Sequence, residues 1–147
     1  MNYRKATEQD LNQVAELFDA YRVFYRKTSD IDGAKSFIND RFKQNDSEIF
    51  IAEDAQQNIV GFTQLYPLLS STRMQKLWLL NDLFVNQNSR TKGVGIGLIE
   101  KAKELVVETK ACGMFLETEK TNDIGNNLYP KTGFNFNNTS NFYEWNP

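Results

Sequence analysis

The run KLWLLNDLFV, residues 76–85, is apolar apart from its leading lysine and the Asn81–Asp82 pair, and glycines follow it at 93, 95 and 97. A run of that composition reads as a long strand. Three glycines in five positions disfavour a helix. Yet the following stretch places Val94, Leu98, Ile99, Ala102, Leu105 and Val106 on one helical stripe. Strand, glycines with Arg90 and Lys92 beside them, then helix: this order gathers backbone amides for an anion. The first N–H groups of a helix have no intrahelical partner, and that end carries roughly half a positive charge. Bare Cα atoms at Gly93 and Gly95 let a phosphate approach the amides closely. The same glycines also fit a strained strand-to-helix turn that needs positive φ, and both readings stand at this point.

The remaining chain supplies a frame around that turn. Residues 3–6 form a short strand, and Thr7 with Asp10 resembles a capping box. Leu11, Val14, Ala15, Phe18, Tyr21 and Tyr25 make the first helical stripe, and a second helix covers 31–42. Strands are expected at 48–52, 59–66 and 76–85, with LLSSTR as the turn between the last two. After the glycine-led helix come a strand at 114–118, a short helix at 125–132 closed by Gly133, and a final hairpin of 134–137 with 141–145. The order β-α-α-β-β-β-α-β-α-β-β implies an α/β (α+β) fold: a mixed, mostly antiparallel sheet with helices on both faces. No repeat or linker interrupts it, so residues 1–147 are expected to form one domain.

Composition removes large parts of function space. The chain has 147 residues, 40% apolar, with 17 basic and 19 acidic residues and a net charge of −2. That balance gives no electrostatic case for nucleic acid or a membrane surface as partner. The N-terminal MNYRKATEQD lacks a signal-peptide core, and one cysteine, Cys112, fits a reducing compartment, so the cytoplasm is expected. There is no histidine. Ser-His-Asp and Cys-His mechanisms and most zinc sites are thereby excluded, and no metal is expected. Catalysis here has to run on carboxylates, tyrosine, lysine, water or backbone dipoles.

Spacing discriminates among phosphate loops. No Lys-Ser or Lys-Thr follows the glycines, which excludes a P-loop. The sixth position from Gly93 is Leu98, which breaks the dinucleotide pattern G-x-G-x-x-G. What matches is R-x-x-G-x-G, as Arg90-Thr91-Lys92-Gly93-Val94-Gly95. This resembles the acetyl-CoA pyrophosphate loop of the GCN5-related N-acetyltransferases (GNAT). NDIGNNLYPKTGF, residues 122–134, is similar to a second block of that family, N-x-x-A-x-x-L-Y-x-x-x-G-F, with Gly125 where alanine is usual. The two blocks occur in the family's order, one helix and one strand apart. AYRVFYRKTSD, QLYPLLSSTR and LNDLFV together resemble the histone/polyamine and D-amino-acid acetyltransferase-like branch of that family.

The resemblance implies an acetyl-CoA-dependent N-acetyltransferase, with the amine attacking directly in a ternary complex. Leu83, Phe84 and Val85 would pair with the pantetheine arm, and an N–H near Leu83 would hold the thioester oxygen. Arg90, Lys92, Gly93, Val94, Gly95, Ile96 and Gly97 would hold the pyrophosphate, and Asn122 the cofactor arm. Tyr129 matches the tyrosine placed near the sulfur. A phenol (~10) protonating a thiolate (~8.5) is uphill by about 2 kcal/mol, so a hydrogen bond to sulfur is as plausible as full transfer. An aromatic plug beside Phe134 is its alternative role. Asp82 interrupts an apolar strand and is the candidate for taking the amine's proton. Relatives with an acidic pair here have a carboxylate where this chain has Asn81, a departure that favours a water-relayed path. Glu117 and Glu119 are the next candidates, and all three carboxylates could instead satisfy strand ends.

AYRVFYRKTSD and QLYPLLSSTR resemble a pocket wall, which nominates Phe24, Tyr25, Asp30 and Tyr66 as substrate contacts, with core packing the alternative for each aromatic, and Asn81 in LNDLFV is a further substrate candidate. A small primary amine is the leading acceptor. Other readings are a non-catalytic acetyl-CoA sensor, transfer to a protein amine, and a longer acyl donor. Phe142, Tyr143 and Trp145 allow a homodimer through the C-terminal strands or a cap on the core.

Overall fold

Alternation along the strands sets the two faces of the sheet. In the computed structural model, which describes residues 1–147, Glu48–Glu53 (β2) turns Ile49 and Ile51 toward one hydrophobic cluster and Phe50 and Ala52 toward another. The two-residue period of a strand requires this split. β2 lies between Asn2–Lys5 (β1) and Ile59–Ser70 (β3), followed by Gln75–Val85 (β4) and Met114–Phe115 (β5), in the spatial order β1-β2-β3-β4-β5. Only the β4–β5 pairing is parallel. The mixed, mostly antiparallel sheet is as the sequence implies.

Leu11–Phe24 (α1) and Ile31–Gln44 (α2) bury Val14, Leu17, Phe18 and Ile38 against Ile49, Ile51 and Phe62. Val94–Glu108 (α3) sets Val94 and Leu98 against Ala52, Phe50, Leu83 and Val85 on the other face. Phe62, Ile51 and Leu98 are fully buried, and each such side chain contributes about 1.5–3 kcal/mol through area withdrawn from water. A Cβ on Gly97 would overlap the ring of Tyr3, so that glycine allows α3 to lie close on β1.

The entry to α1 is fixed electrostatically. Asp10 accepts hydrogen bonds from the Thr7 N–H (2.8 Å) and hydroxyl (3.1 Å) and from both terminal nitrogens of Arg4 (2.8 and 2.9 Å). Arg4 also donates to Glu53 (2.9 Å), which ties β1, β2 and the helix start together. The guanidinium beside it pulls the Asp10 carboxyl down to about 2.

The chain divides into two compact units, residues 1–117 and 118–147. The second carries Asp123–Lys131 (α4), which begins at Asn122 and ends at Thr132 ahead of Gly133 at φ +87°. Three expectations need correction. The strand at 114–118 pairs only over Met114–Phe115. β3 continues to Ser70, because Pro67, Leu68 and Leu69 pair across to Trp78, Leu77 and Lys76, and the turn shrinks to 71–74. The final hairpin does not form: 134–147 contains no strand, although Asn137 accepts from the N–H and hydroxyl of Thr139 in a turn (2.9 Å each). Phe136, Phe142, Tyr143 and Trp145 are exposed. An alternating aromatic pattern becomes a strand only where a sheet edge accepts its backbone, and no strand of this chain pairs with it.

Candidate active site

In the first unit the site grows from an irregularity in β4. Gln64 pairs with Asp82, but the next residue of β3, Leu65, pairs with Leu80, so Asn81 is an extra residue on β4. One residue inserted against its partner bends a strand and increases its twist. Beyond that bend β4 and β5 part: their register covers Trp78–Met114 and Leu79–Phe115 and then ends. Residues 80–85 therefore run on with β3 on one side and no β5 partner on the other. An unpaired strand edge is a template for an extended ligand carrying amides.

At the end of that edge lies the glycine loop. Thr91 (φ +66°) and Gly93 (φ +76°) both adopt left-handed backbone, so positive φ is indeed one reason for glycine here. Gly93 caps α3 without any side chain, and the first intrahelical hydrogen bond runs from Gly97 N–H to Gly93 O (3.1 Å). The N–H groups of Val94, Gly95 and Ile96 precede it. A Cβ on Gly93 would meet nothing within 4 Å, so the approach to those amides is clear. Positive φ thus accounts for glycine at 93, and the open space before the amides is what an anion would need. Gly97 is different: its N–H donates inside the helix and its bare Cα serves packing against Tyr3.

Arg90 is pinned rather than loose. Its Nε donates to Val85 O (3.0 Å), and its guanidinium lies over the rings of Phe84 (5.5 Å) and Phe24 (5.8 Å). Asn86 N–H donates to Val60 O (2.8 Å). Alternation along the ladder therefore turns the backbone groups of Phe84 toward β3 and those of Leu83 and Val85 to the open edge, where Val85's carbonyl is already partly used. A cavity of about 480 Å³ opens beside this stack, lined by α1 and the end of β4, with Glu16, Phe24, Phe84, Asn86 and Arg90 in its wall. Lys92 is exposed next to the loop.

At the bend sits Asp82, only 3% exposed. Its Oδ2 accepts from Gln64 Nε2 (2.7 Å) and its Oδ1 from Asn81 Nδ2 (3.1 Å). The Tyr21 hydroxyl, on α1, lies between Asn81 O (3.3 Å) and the Asp82 carboxyl, two acceptors that share its one proton. Burial lifts the Asp82 carboxyl above the usual carboxylate range, while the donors of Gln64, Tyr21 and Asn81 hold it back. Tyr66, half-buried on β3, is pushed up to about 12 by burial and by the charge of Asp82.

The nominated substrate residues do not form one cluster. Asn81 and Tyr66 lie at Asp82, and the Tyr25 ring contacts both Tyr21 and Phe24 (5.1 Å each). Phe24 belongs to the Arg90 stack, and Asp30 caps α2 by accepting from Gly33 N–H (2.9 Å). Glu117 is exposed in the loop past β5 rather than at a strand end. Tyr21, Gln64 and Ser47 were not singled out in the sequence as site residues. The signal was present in part: Thr63-Gln64 interrupts an apolar strand just as Asn81-Asp82 does.

In the second unit, Asn122 accepts from Gly125 N–H (3.1 Å) and donates to Thr118 Oγ1 (2.9 Å), so it orders the start of α4. A Cβ on Gly125 would crowd Asn122 Nδ2 (2.7 Å) and the Tyr129 ring (3.0 Å). Glycine in place of the usual alanine therefore brings those two side chains together. Tyr129 meets Phe134 edge to face (5.9 Å), and its carbonyl accepts from the Thr132 and Phe134 N–H groups.

Comparison with known proteins decides the family. Residues 13–134 match the Acetyltransferase (GNAT) family. The chain belongs to that family. It is 42% identical over 134 residues to YhfO of Bacillus subtilis (strain 168), an uncharacterized N-acetyltransferase, covering 91% of this chain and 89% of that one. A probable acetyltransferase of Haemophilus influenzae is 33% identical over 111 residues, 76% of each chain. The crystal structure of a probable acetyltransferase superposes with a TM-score of 0.94 at 30% identity, over 100% of this GNAT chain and 98% of the other. The protein is an acetyltransferase, and no helix is long and apolar enough to cross a membrane.

Proposed function

We propose that this GNAT protein moves an acetyl group from acetyl-CoA to the primary amine of a small molecule by direct attack in a ternary complex. The observation that carries this reading is the parting of β4 from β5 beyond Leu79, with an uncapped helix N-terminus at one end of the open edge and a buried carboxylate at its bend. Acetyl-CoA, when bound, supplies a thioester carbonyl open to an amine nitrogen.

Each residue then has a stated task. Edge groups of Leu83 and Val85 bind the pantetheine arm, with Phe84 between them, and the N–H groups of Val94, Gly95 and Ile96 bind the pyrophosphate with Arg90 and Lys92 adding charge. An amine is protonated at neutral pH and attacks only as the free base, so Asp82 takes its proton, with Glu117 in reserve. Asn122 holds the cofactor arm, and Tyr129 offers its hydroxyl to the departing sulfur. Tyr25, Tyr66 and Asn81 face the acceptor, a setting of aromatic rings around a carboxylate that suits a cation. The family match runs through both compact units, which supports one functional domain over 1–147. The single cysteine supports the cytoplasm as its compartment.

The test is thiol release from acetyl-CoA by the purified protein against polyamines, lysine analogues, D- and L-amino acids, aminoglycosides and a basic peptide. Release dependent on one class of small amine supports the reading. Release with the peptide alone points to a protein amine. Tight acetyl-CoA binding with no release across the panel contradicts the catalytic reading and favours a sensor.

A further inference from the structure

The Asp82 carboxylate is one end of a buried polar chain that crosses β3. A carboxylate only accepts, so Gln64 must turn Nε2 toward Asp82 Oδ2 (2.7 Å), and its Oε1 is left to accept from the Ser47 hydroxyl (2.9 Å). Gln64 is fully buried, and Ser47 is half-buried at the foot of β2. Gln64 and Asp82 are direct cross-strand partners at the last regular pair before the extra residue Asn81. The amide therefore fixes the carboxylate's rotation where the strand bends. An apolar pair of the same size would serve the core at least as well as this polar one, since buried polar pairs contribute little net stability.

We propose that Gln64, oriented by Ser47, is a positioning residue that holds Asp82 Oδ2 as a permanent acceptor, so that Oδ1, on the Asn81 side, is the atom that takes the amine's proton. This rests on Asp82 being the proton acceptor of the proposed function. In the step, an ammonium N–H bond breaks, the electron pair stays on nitrogen, and the proton arrives at Oδ1, giving a neutral amine and a neutral carboxyl. Asn81 Nδ2 is the donor on the Oδ1 side, away from Gln64, and the Tyr21 hydroxyl also reaches the carboxyl. Asn81 is exposed, which gives the proton a route to solvent. The charged or titratable groups around the carboxylate are Tyr21 from α1 and Tyr66 from β3, and Tyr66 in turn senses Arg41 and Asp46.

The experiment is a ¹³C NMR titration of the Asp82 side-chain carboxyl in the native protein and in the Gln64→Leu, Ser47→Ala and Ser47→Thr variants, with no substrate present. Losing the Gln64 donor removes a hydrogen bond that favours the charged form, so Gln64→Leu should raise the midpoint by about one pH unit. Ser47→Ala should raise it by a smaller amount, and Ser47→Thr, which keeps the hydroxyl, should restore it. An unmoved or lowered midpoint in Gln64→Leu and Ser47→Ala overturns the proposal. If Gln64→Leu fails to fold, the Ser47 pair decides alone. Turnover of the best amine from the panel by Asp82→Asn tests the underlying reading separately: full activity there removes Asp82 as acceptor whatever the titration shows.

Discussion

Asp82 is held against its own preference for water, and that tension has measurable consequences. Its folded-state carboxyl is raised by burial, so the folded protein binds this proton more tightly than the unfolded chain does. Its contribution to stability is therefore most favourable at low pH and declines as pH rises from about 3.8 through the raised value. Asp82→Asn should remove that decline, leave stability at pH 7 equal or higher by about 1 kcal/mol in denaturant melts, and abolish the acid limb of kcat/KM. Asp10 has the opposite sign. Its carboxyl is lowered to about 2 by Arg4, so its stabilisation is present above the ordinary carboxylate value and lost as pH falls toward 2. Asp10→Asn should cost on the order of 1–2 kcal/mol at pH 7, a difference that shrinks in melts below pH 4. Tyr129→Phe should lower kcat while leaving the acetyl-CoA Kd nearly unchanged by calorimetry, and unaltered kcat would remove Tyr129 from the chemistry. Asp82 was legible because a carboxylate in an apolar run needs a partner or a task. Its supporters were not: Tyr21 sits on the apolar stripe of α1 and reads as core, and the pairing of Gln64 with Asp82 exists only once β3 and β4 are in register.

The glycine-led helix and the C-terminal segment show what a pattern can and cannot specify about an element. α3 was legible from both ends, because its apolar stripe and its glycines are local signals and Val94, Leu98, Ile99, Ala102 and Leu105 are buried. Its glycines, however, have distinct physical roles. Gly93→Val should abolish acetyl-CoA binding in a folded protein, since φ +76° strains a β-branched residue and its side chain would enter the space open before the amides. Normal affinity would contradict the loop assignment. Gly97→Ala should instead lower the Tm by forcing the Tyr3 ring aside, at roughly 1–3 kcal/mol, with the affinity of the folded fraction retained. Strand pairing is the less local property. The run 76–85 found its neighbours, whereas 134–145 carries a strand pattern with no strand to pair with. The extra residue at Asn81 belongs to the same class: a bulge is a relation between two strands and is invisible in either alone.

At the scale of the whole molecule, the mixed sheet with helices on both faces followed from element order, and the family, which the comparisons bear out, followed from two spaced motifs. The C-terminal aromatics leave a second matter to settle by mass. Phe142, Tyr143 and Trp145 are exposed on a segment patterned as a strand, and we expect two copies to pair through it, giving twice the chain mass in light scattering. Phe142→Ser with Trp145→Ser should return the monomer. The central claim is that acetyl-CoA lies along the open edge of β4 with its phosphates on the start of α3. Hydrogen–deuterium exchange of the backbone amides with and without saturating acetyl-CoA tests it most directly. Slowed exchange is expected chiefly at 80–85 and 94–96. Saturable binding that leaves both segments exchanging as in the free protein would contradict it.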